Sequence, residues 1–220
     1  MSYPQISNQI PGLPRIGDQA PDFTAQSTLG EINFSDFRKD HWVVLFSHPA
    51  DFTPVCTTEL VAFAREQKWF ESNNAKIIGV SVDSIHSHLA WVQNVKQNQN
   101  VEFQFPLIAD SDRKVAQLFG MLHPGESSTA AVRAVFVIDP KGIIRLLIYY
   151  PLNVGRNIEE VKRALLGLQT ADASSVAIPA NWTKGDKVIV PPPKTLSEIQ
   201  SLDEKPYEKI DFYLRKKELN

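Results

Sequence analysis

The order of apolar segments in the middle of the chain constrains the fold more than any other sequence feature. Short apolar runs at residues 42–46 and 76–82 have the character of strands. Each is followed by a segment in which apolar residues recur at mostly helical spacing, at 55–70 and 84–95. A strand–helix–strand–helix order predicts a parallel sheet with crossover helices.

The pattern changes in the second half of the chain. Two apolar runs at 134–138 and 143–150 are separated by a turn at 139–142 that contains proline and glycine, which predicts an antiparallel hairpin. The remaining predicted elements are a brief strand at 107–109, a short helix at 114–119 and a last helix at 158–168. The complete order predicts an α/β, thioredoxin-like fold with a central mixed sheet flanked by helices.

Length and proline distribution predict two regions. A chain of 220 residues allows one sizeable core and an appendage, at roughly 150 residues per domain. From residue 173 the chain is polar and rich in proline, with short apolar pieces such as 188–190 and 210–214 that cannot bury a core alone. We therefore predict a main domain at 1–172 and a C-terminal extension at 173–220, which packs on its own chain or on a second subunit.

Composition excludes several classes of partner. The 23 basic and 25 acidic residues leave a net charge of -2, so we expect no nucleic-acid partner. No apolar run approaches the roughly 18 residues of a membrane span, and residues 1–5 do not resemble the start of a signal peptide. A single cysteine cannot form an internal disulfide, so we predict a cytoplasmic protein without a membrane span.

The position of Cys56 indicates chemistry. A lone cysteine is usually a small buried apolar residue. Cys56, however, follows a predicted strand and a loop stiffened by Pro49 and Pro54, and it opens a predicted helix. Unpaired N–H groups at a helix N-terminus favour the reactive thiolate, and Thr53 adds a hydroxyl that can accept one hydrogen bond while donating another.

A helix terminus alone does not activate a thiol. It contributes about 0.3 to 1 kcal/mol, whereas lowering the pKa of a free thiol by about three units takes about 4 kcal/mol. One arginine at about 4 Å supplies an amount of that order at an effective dielectric near 20. The candidate cations are Arg133, Arg156 and His48.

Other chemistries do not fit the spacing of the residues. Cys56 has no second cysteine with which to form a dithiol motif. His86 and His88 are two residues apart on a predicted helix and do not face the same way, so they make a poor metal pair. Gly79 stands alone after a strand and forms no phosphate-binding loop. We therefore expect neither a metal nor a cofactor.

The residues around Cys56 resemble those of a known family. The run SHPADFTPVCTTEL at 47–60 is similar to the active-site loop of the peroxiredoxins, and in particular of the one-cysteine, peroxiredoxin-6 type subgroup. The resemblance continues in VSVDS at 80–84, HLAW at 88–91, LFGML at 118–122, RAVFVI at 133–138, residues 150–157 and the tail run PANWTKGD at 179–186.

The resemblance implies a peroxidase that reduces hydrogen peroxide and organic hydroperoxides. Cys56 would be the nucleophile and become a sulfenic acid, which an external thiol or another reductant would recycle. Thr53 would orient the peroxide, Arg133 would stabilise the thiolate and the developing charge, and Pro49 would shield the pocket. His48 corresponds to a histidine of the subgroup.

Two further expectations concern Arg156 and the quaternary structure. Arg156 is expected to support the residues that touch the peroxide without touching it. The resemblance, together with a tail that cannot bury its own apolar pieces, implies a homodimer.

One activity of the subgroup is not expected here, and one alternative function stays open. Some members of the subgroup have a Gly-x-Ser-x-Gly motif and phospholipase activity, but this chain has KDHWV at 39–43, so we do not expect that activity. A non-enzymatic protein on the same fold, a holdase or a redox-sensing adaptor, is the alternative function. Such a protein would not need the full set of Pro49, Thr53, Cys56 and Arg133.

Overall fold

The computed structural model of the chain describes residues 13–219. The prediction about residues 1–5 lies outside this range. Contacts divide the chain into two compact units, one ending at Arg156 and the other beginning at Asn157. The boundary at 172/173, which composition predicts, falls inside the helix Ile158–Ser174 and stays a prediction.

The first unit is built on a seven-stranded mixed sheet. Its elements are β1 (Thr24–Ser27), β2 (Gly30–Asn33), α1 (Phe34–Arg38), β3 (Trp42–Ser47), α2 (Pro54–Ser72), β4 (Ala75–Ser81), α3 (Ile85–Gln99), β5 (Leu107–Ala109), α4 (Lys114–Leu118), β6 (Arg133–Ile138) and β7 (Ile144–Tyr150). The strand order is β2-β1-β5-β4-β3-β6-β7. Strands β3, β4 and β5 are parallel to one another, whereas β6 runs antiparallel to β3 and β7 antiparallel to β6.

This topology confirms the predicted thioredoxin-like class and the hairpin. The hairpin turn forms because the Asp139 carboxylate accepts hydrogen bonds from the backbone N–H groups of Lys141 and Ile143, and because Gly142 takes a φ of +85°. Elements β1, β2 and α1 were not predicted. The two strands are short and largely polar, so they lack the apolar alternation that identifies a strand.

The centre of the sheet fixes the position of α2. Every residue of β3 and of β6 is buried, which explains their continuous apolar runs. Phe46 at the end of β3 stacks on Phe63 of α2, with ring centroids 4.2 Å apart. Gly79 of β4 makes room for this ring, because a Cβ at that position would lie 3.1 Å from Phe46 and 2.6 Å from Leu107. The middle of α2 therefore packs on the end of β3, and the short loop at 48–53 joins that end to the first turn of the helix.

The second unit has its own small core. Its elements are α5 (Ile158–Ser174), β8 (Val188–Ile189), α6 (Leu196–Asp203), β9 (Glu208–Asp211) and β10 (Leu214–Lys217), with a three-stranded sheet ordered β8-β10-β9. The buried residues of this core are Val176, Trp182 and Val188, against which Leu166 and Ile178 pack. Ile210, Phe212 and Tyr213, by contrast, are at least half exposed.

No helix within residues 13–219 combines the length and the apolar character needed to cross a bilayer.

Candidate active site

The N-terminal turn of α2 holds the thiol. Thr53 is the N-cap residue in an extended conformation and Pro54 is the first helical residue, a position that suits proline because its missing N–H has no helical partner there. Cys56 lies in this first turn and is fully buried. The Thr53 hydroxyl does not cap the helix but donates to the carbonyl of Ala50 at 2.9 Å. Free N–H groups of the helix terminus are therefore left near the thiol.

Arg133 is the candidate cation that contacts the thiol. It is the first residue of β6, and its Nη1 lies 3.3 Å from the Sγ of Cys56. Its Nε and Nη2 donate to the carbonyl of Leu152 at 3.0 and 2.7 Å. Because all three nitrogens of the guanidinium are engaged and the side chain is buried, its fork is fixed against the sulfur.

Glu59 joins the two arginines. Its carboxylate accepts from Arg133 Nη1 at 2.6 Å, and from Arg156 Nε and Nη2 at 2.9 and 2.8 Å. Burial by itself would raise the pKa of Glu59, but the charges of Arg156 and Arg133 outweigh it and hold the pKa below its usual value. Two guanidinium groups and one carboxylate carry one net positive charge, which a thiolate at Cys56 neutralises.

Sequence reasoning missed Glu59. The signal was available, because a residue three positions after Cys56 on a helix lies on the same face as the thiol. A charged side chain on that predicted buried face requires partners of opposite sign.

Arg156 fixes the geometry behind the thiol. Its Nη1 donates to the carbonyls of Ser47 and Ala134 at 2.8 and 2.9 Å, so it connects β3 with β6. Burial lowers the pKa of Arg156, and the neighbouring Glu59 opposes this effect. The guanidinium also lies 5.1 Å from the centre of the Phe46 ring. These contacts are of the kind expected for a supporting residue.

The loop between β3 and α2 contains the other predicted site residues. Pro49 is half-buried in this loop. His48 is fully buried, and its Nε2 donates to Oδ1 of Asp51 at 2.9 Å. The antiparallel register of β3 and β6 pairs Phe46 with Val135. This is the last pair of the two strands: His48 follows Phe46 by two residues, and Arg133 precedes Val135 by two.

Asp51 and His88 form a buried cluster with His48, and sequence reasoning missed both. The Nδ1 of His88 lies 2.8 Å from Oδ2 of Asp51. The nitrogen and oxygen atoms of the three side chains that could bind a metal lie within 4.8 Å of one another. Both histidines are hydrogen-bonded to the Asp51 carboxylate, so we describe the three residues as a hydrogen-bonded cluster. The expectation that His86 and His88 face different ways is confirmed, since His86 is exposed and His88 is buried.

Family models match most of the chain. Residues 16–147 match the AhpC/TSA family, and residues 167–205 match the C-terminal domain of 1-Cys peroxiredoxin. A protein of Aquifex aeolicus named Peroxiredoxin is 51% identical over 221 residues, which cover 96% of this chain and 100% of that protein. Peroxiredoxin 2 of Caldanaerobacter subterraneus is 56% identical over 188 residues, covering 86% of this chain and 85% of that protein.

Solved structures agree with these matches. A yeast mitochondrial 1-Cys peroxiredoxin superposes with a TM-score of 0.85 at 44% identity, covering 93% of this chain and 99% of that one. A cysteine-to-serine mutant of peroxiredoxin 6 from Arenicola marina gives a TM-score of 0.84 at 36% identity, with 93% and 97% covered.

Proposed function

Because this chain belongs to the AhpC/TSA family and is a thiol-dependent peroxidase of the one-cysteine peroxiredoxin type, we propose a role for each residue around its thiol. Cys56 is the peroxidatic nucleophile. Arg133 stabilises the thiolate and the charge that develops on the peroxide. Thr53 orients the peroxide and Pro49 shields the pocket. The contact between Arg133 and Cys56 carries this proposal.

The reaction can be followed atom by atom. The Cys56 thiolate attacks the terminal oxygen of a hydroperoxide, so that an S–O bond forms while the O–O bond breaks. Sulfur is oxidised to the sulfenic acid, and the leaving alkoxide or hydroxide takes up a proton to become alcohol or water. Arg133 is placed to stabilise the negative charge that moves from sulfur to the leaving oxygen.

Thr53 is suited to orient the peroxide by its own hydrogen bond. Its hydroxyl proton is already donated to the carbonyl of Ala50. The hydroxyl oxygen therefore presents its lone pairs and can accept a hydrogen bond from the peroxide O–H. This arrangement would present the terminal oxygen of the peroxide to the sulfur.

Recycling needs a thiol from outside the chain. The sequence contains one cysteine, so the sulfenic acid has no second thiol in its own chain with which to condense. An external thiol would form a mixed disulfide and release water, and a second thiol would then free Cys56. The thiol-resolving mechanism of the similar yeast mitochondrial 1-Cys peroxiredoxin runs via glutathione and thioredoxin systems. We propose a low-molecular-weight or protein thiol of this kind.

We also propose where the protein is located, and we weigh the alternative function of a holdase or adaptor. The single cysteine supports a cytoplasmic location, where thiols stay reduced. A passive holdase or adaptor would not explain why a buried guanidinium is held against the thiol.

Alkylation against pH tests whether the thiol is activated. We expect Cys56 to react with iodoacetamide as a thiolate at neutral pH, because its buried surroundings carry one net positive charge. At neutral pH the rate in the intact protein should exceed that of a free thiol. The denatured chain is the control and should show the profile of a free thiol. Coincident profiles for the two states would refute the activation of Cys56.

We also propose that the protein is a homodimer in which the second unit of each chain contributes to the interface. Ile210, Phe212 and Tyr213 are exposed on a unit that has its own small core. An apolar patch of this kind is stabilised when a partner covers it.

Charge substitutions in this patch test the dimer. We expect Ile210→Glu/Phe212→Glu to dissociate the dimer in sedimentation velocity experiments, because buried carboxylates at an interface lack partners. Ser201→Glu on the exposed side of α6 is the matched control and should remain dimeric. A monomer for the unmodified chain, or a dimer for the double variant, would contradict the proposal. Deletion from residue 173 is less specific, because it also removes Val176, Trp182 and Val188 from the core of this unit.

A further inference from the structure

The hydrogen bonds of His88 are unusual for a neutral imidazole. Its Nε2 faces the carbonyl of Ile108 at 3.1 Å, and its Nδ1 faces both oxygens of Asp51 at 3.0 and 2.8 Å. A neutral imidazole has one donor nitrogen and one acceptor nitrogen. A carbonyl and a carboxylate both require donors. His88 therefore satisfies both contacts only if both of its nitrogens carry protons.

The charge of Asp51 supports this assignment. Burial alone would raise its pKa, but hydrogen bonds from His48 and His88 outweigh burial and hold the pKa of Asp51 well below its usual range. The side chains of Asp51 and His88 are 1% and 0% exposed. A carboxylate so deeply buried needs a cation at hydrogen-bond distance, and His88 is the residue placed to supply it.

His48 has a different environment. Its Nε2 donates to Asp51, whereas its Nδ1 is buried without a hydrogen-bond partner. Burial lowers the pKa of His48, and Asp51 only partly offsets this. A proton on Nδ1 would be a buried donor with no acceptor, which costs more than an unpaired lone pair. His48 is therefore neutral, with its proton on Nε2.

We propose that His88 is the cation of this cluster, and that by neutralising Asp51 it keeps His48 uncharged at the start of the loop that leads to Cys56. His88 is thus a positioning residue that acts through Asp51 and His48. The inference rests on the proposed role of Cys56, because it assigns the cluster a purpose in that reaction.

The location of His48 explains why its charge matters. The pairing of β3 with β6 ends at Phe46 and Val135. His48 follows this last pair by two residues on one strand, and Arg133, which contacts Cys56, precedes it by two on the other. The pocket is already neutral when Cys56 is a thiolate beside Arg133, Glu59 and Arg156. An imidazolium at His48 would move a positive charge of the cluster towards the thiol pocket and make the thiolate a weaker nucleophile.

Other polar groups near the cluster do not replace His88. Asp83 accepts from the backbone N–H of Asp51 at 3.1 Å and from the hydroxyl of Ser81 at 2.6 Å, so it adds a second negative charge. The ring of His88 lies 5.9 Å from that of His48, and Trp91 packs on His48 from the same helix as His88. Among these groups, only the histidines can supply a cation.

Nitrogen NMR of the protein labelled in its five histidines tests the proton assignment directly. At neutral pH we expect both nitrogens of His88 to resonate as protonated, and His48 to show a protonated Nε2 and an unprotonated Nδ1. His86→Gln, an exposed residue of the same helix, serves to assign the spectrum and should change neither pattern. One unprotonated nitrogen on His88 would overturn the proposal, whether or not any variant folds.

Variants that remove the charges of His88 and Asp51 test the consequence for the reaction of Cys56 with peroxide. In His88→Gln the Asp51 carboxylate loses its cation, so we expect His48 to become doubly protonated. Oxidation of Cys56 by stoichiometric peroxide should slow by about threefold, the loss of nucleophilicity when a thiolate becomes about ten times harder to protonate.

The double variant Asp51→Asn/His88→Gln should restore both properties. The introduced asparagine oxygen can still accept from His48, while its amide donates to the introduced glutamine in place of the ionic contact. We therefore expect a neutral His48 and a rate close to that of the unmodified protein. A merely structural role would make the double variant worse than the single one. That result, or an unchanged His48 in His88→Gln, would contradict the proposal.

Failure of the proposed function is distinguishable from failure of this inference. If Cys56 is not the peroxidatic residue, Cys56→Ser will react with peroxide as the unmodified protein does. The histidine spectrum would still report the charges of His88 and His48. If Cys56 reacts and His88 is neutral, only the inference about the cluster is wrong.

Discussion

Purified protein mixed with hydrogen peroxide and no reductant will consume one equivalent rapidly and then stop. The fast phase is the oxidation of Cys56 to its sulfenic acid, and the stop follows because the chain has no second cysteine to condense with it. Stopped-flow measurement of peroxide loss should give a stoichiometry of about one per chain. Dimedone added after the fast phase should label a single peptide, the one that contains Cys56.

Three further mixtures complete this experiment. Excess peroxide should oxidise the sulfenic acid more slowly to sulfinic acid, with permanent loss of activity. A suitable thiol donor added before the excess should restore continuous turnover. Cys56→Ser should abolish the fast phase, at a cost of several orders of magnitude in rate. Sustained peroxide consumption by the protein alone would contradict the one-cysteine mechanism.

Replacement of Arg133 by lysine should slow the oxidation of Cys56 by about a hundredfold, the usual effect of removing one positioned donor from a developing anion. Lysine keeps the charge but has one nitrogen, whereas Arg133 contacts Cys56, Glu59 and the carbonyl of Leu152 at once. A single ammonium group cannot make these contacts together. The second-order rate constant with peroxide is the quantity to measure.

Arg145→Lys is the matched control for this substitution. Arg145 lies on β7 of the same sheet and pairs with Asp139 at the hairpin. We expect its replacement to leave the peroxide rate within about twofold, since ion pairs near the surface contribute little. If Arg133→Lys reacted as fast as Arg145→Lys, positive charge alone would explain activation and the fork geometry would have no role.

Local elements of this protein are predictable from the sequence, whereas contacts between distant segments are not. The strand and helix order from β3 to β7 was predictable because each element carries its own apolar period. The pairing of Cys56 with Arg133 was predictable only as one of three candidate cations, since their contact spans the interval from α2 to β6. The resemblance to a family singled out Arg133 before the structure did.

The charged partners of the site were not predictable from local pattern. In the sequence, Asp51 belongs to the motif around Cys56 and His88 to a poor metal pair with His86, yet the structure brings Asp51 and His88 to 2.8 Å from each other. They come from a loop and from α3, and only the parallel arrangement of β3 and β4 brings those segments together. A periodicity argument addresses one element at a time, so it contains no information about such a meeting.

The sharing of Glu59 between two arginines limits the number of catalytic cycles that the protein completes before Cys56 is irreversibly oxidised. The pocket is electrically balanced when sulfur bears a full negative charge, as it does in the thiolate. Oxidation to the sulfenic acid removes that charge and leaves a buried surplus of one cation. A sulfinate is anionic and restores the balance, so the charges that we propose promote the first oxidation would also favour the irreversible second one. How many peroxide molecules each chain survives is therefore decided by how quickly a reductant reaches the neutral intermediate, in competition with the next peroxide.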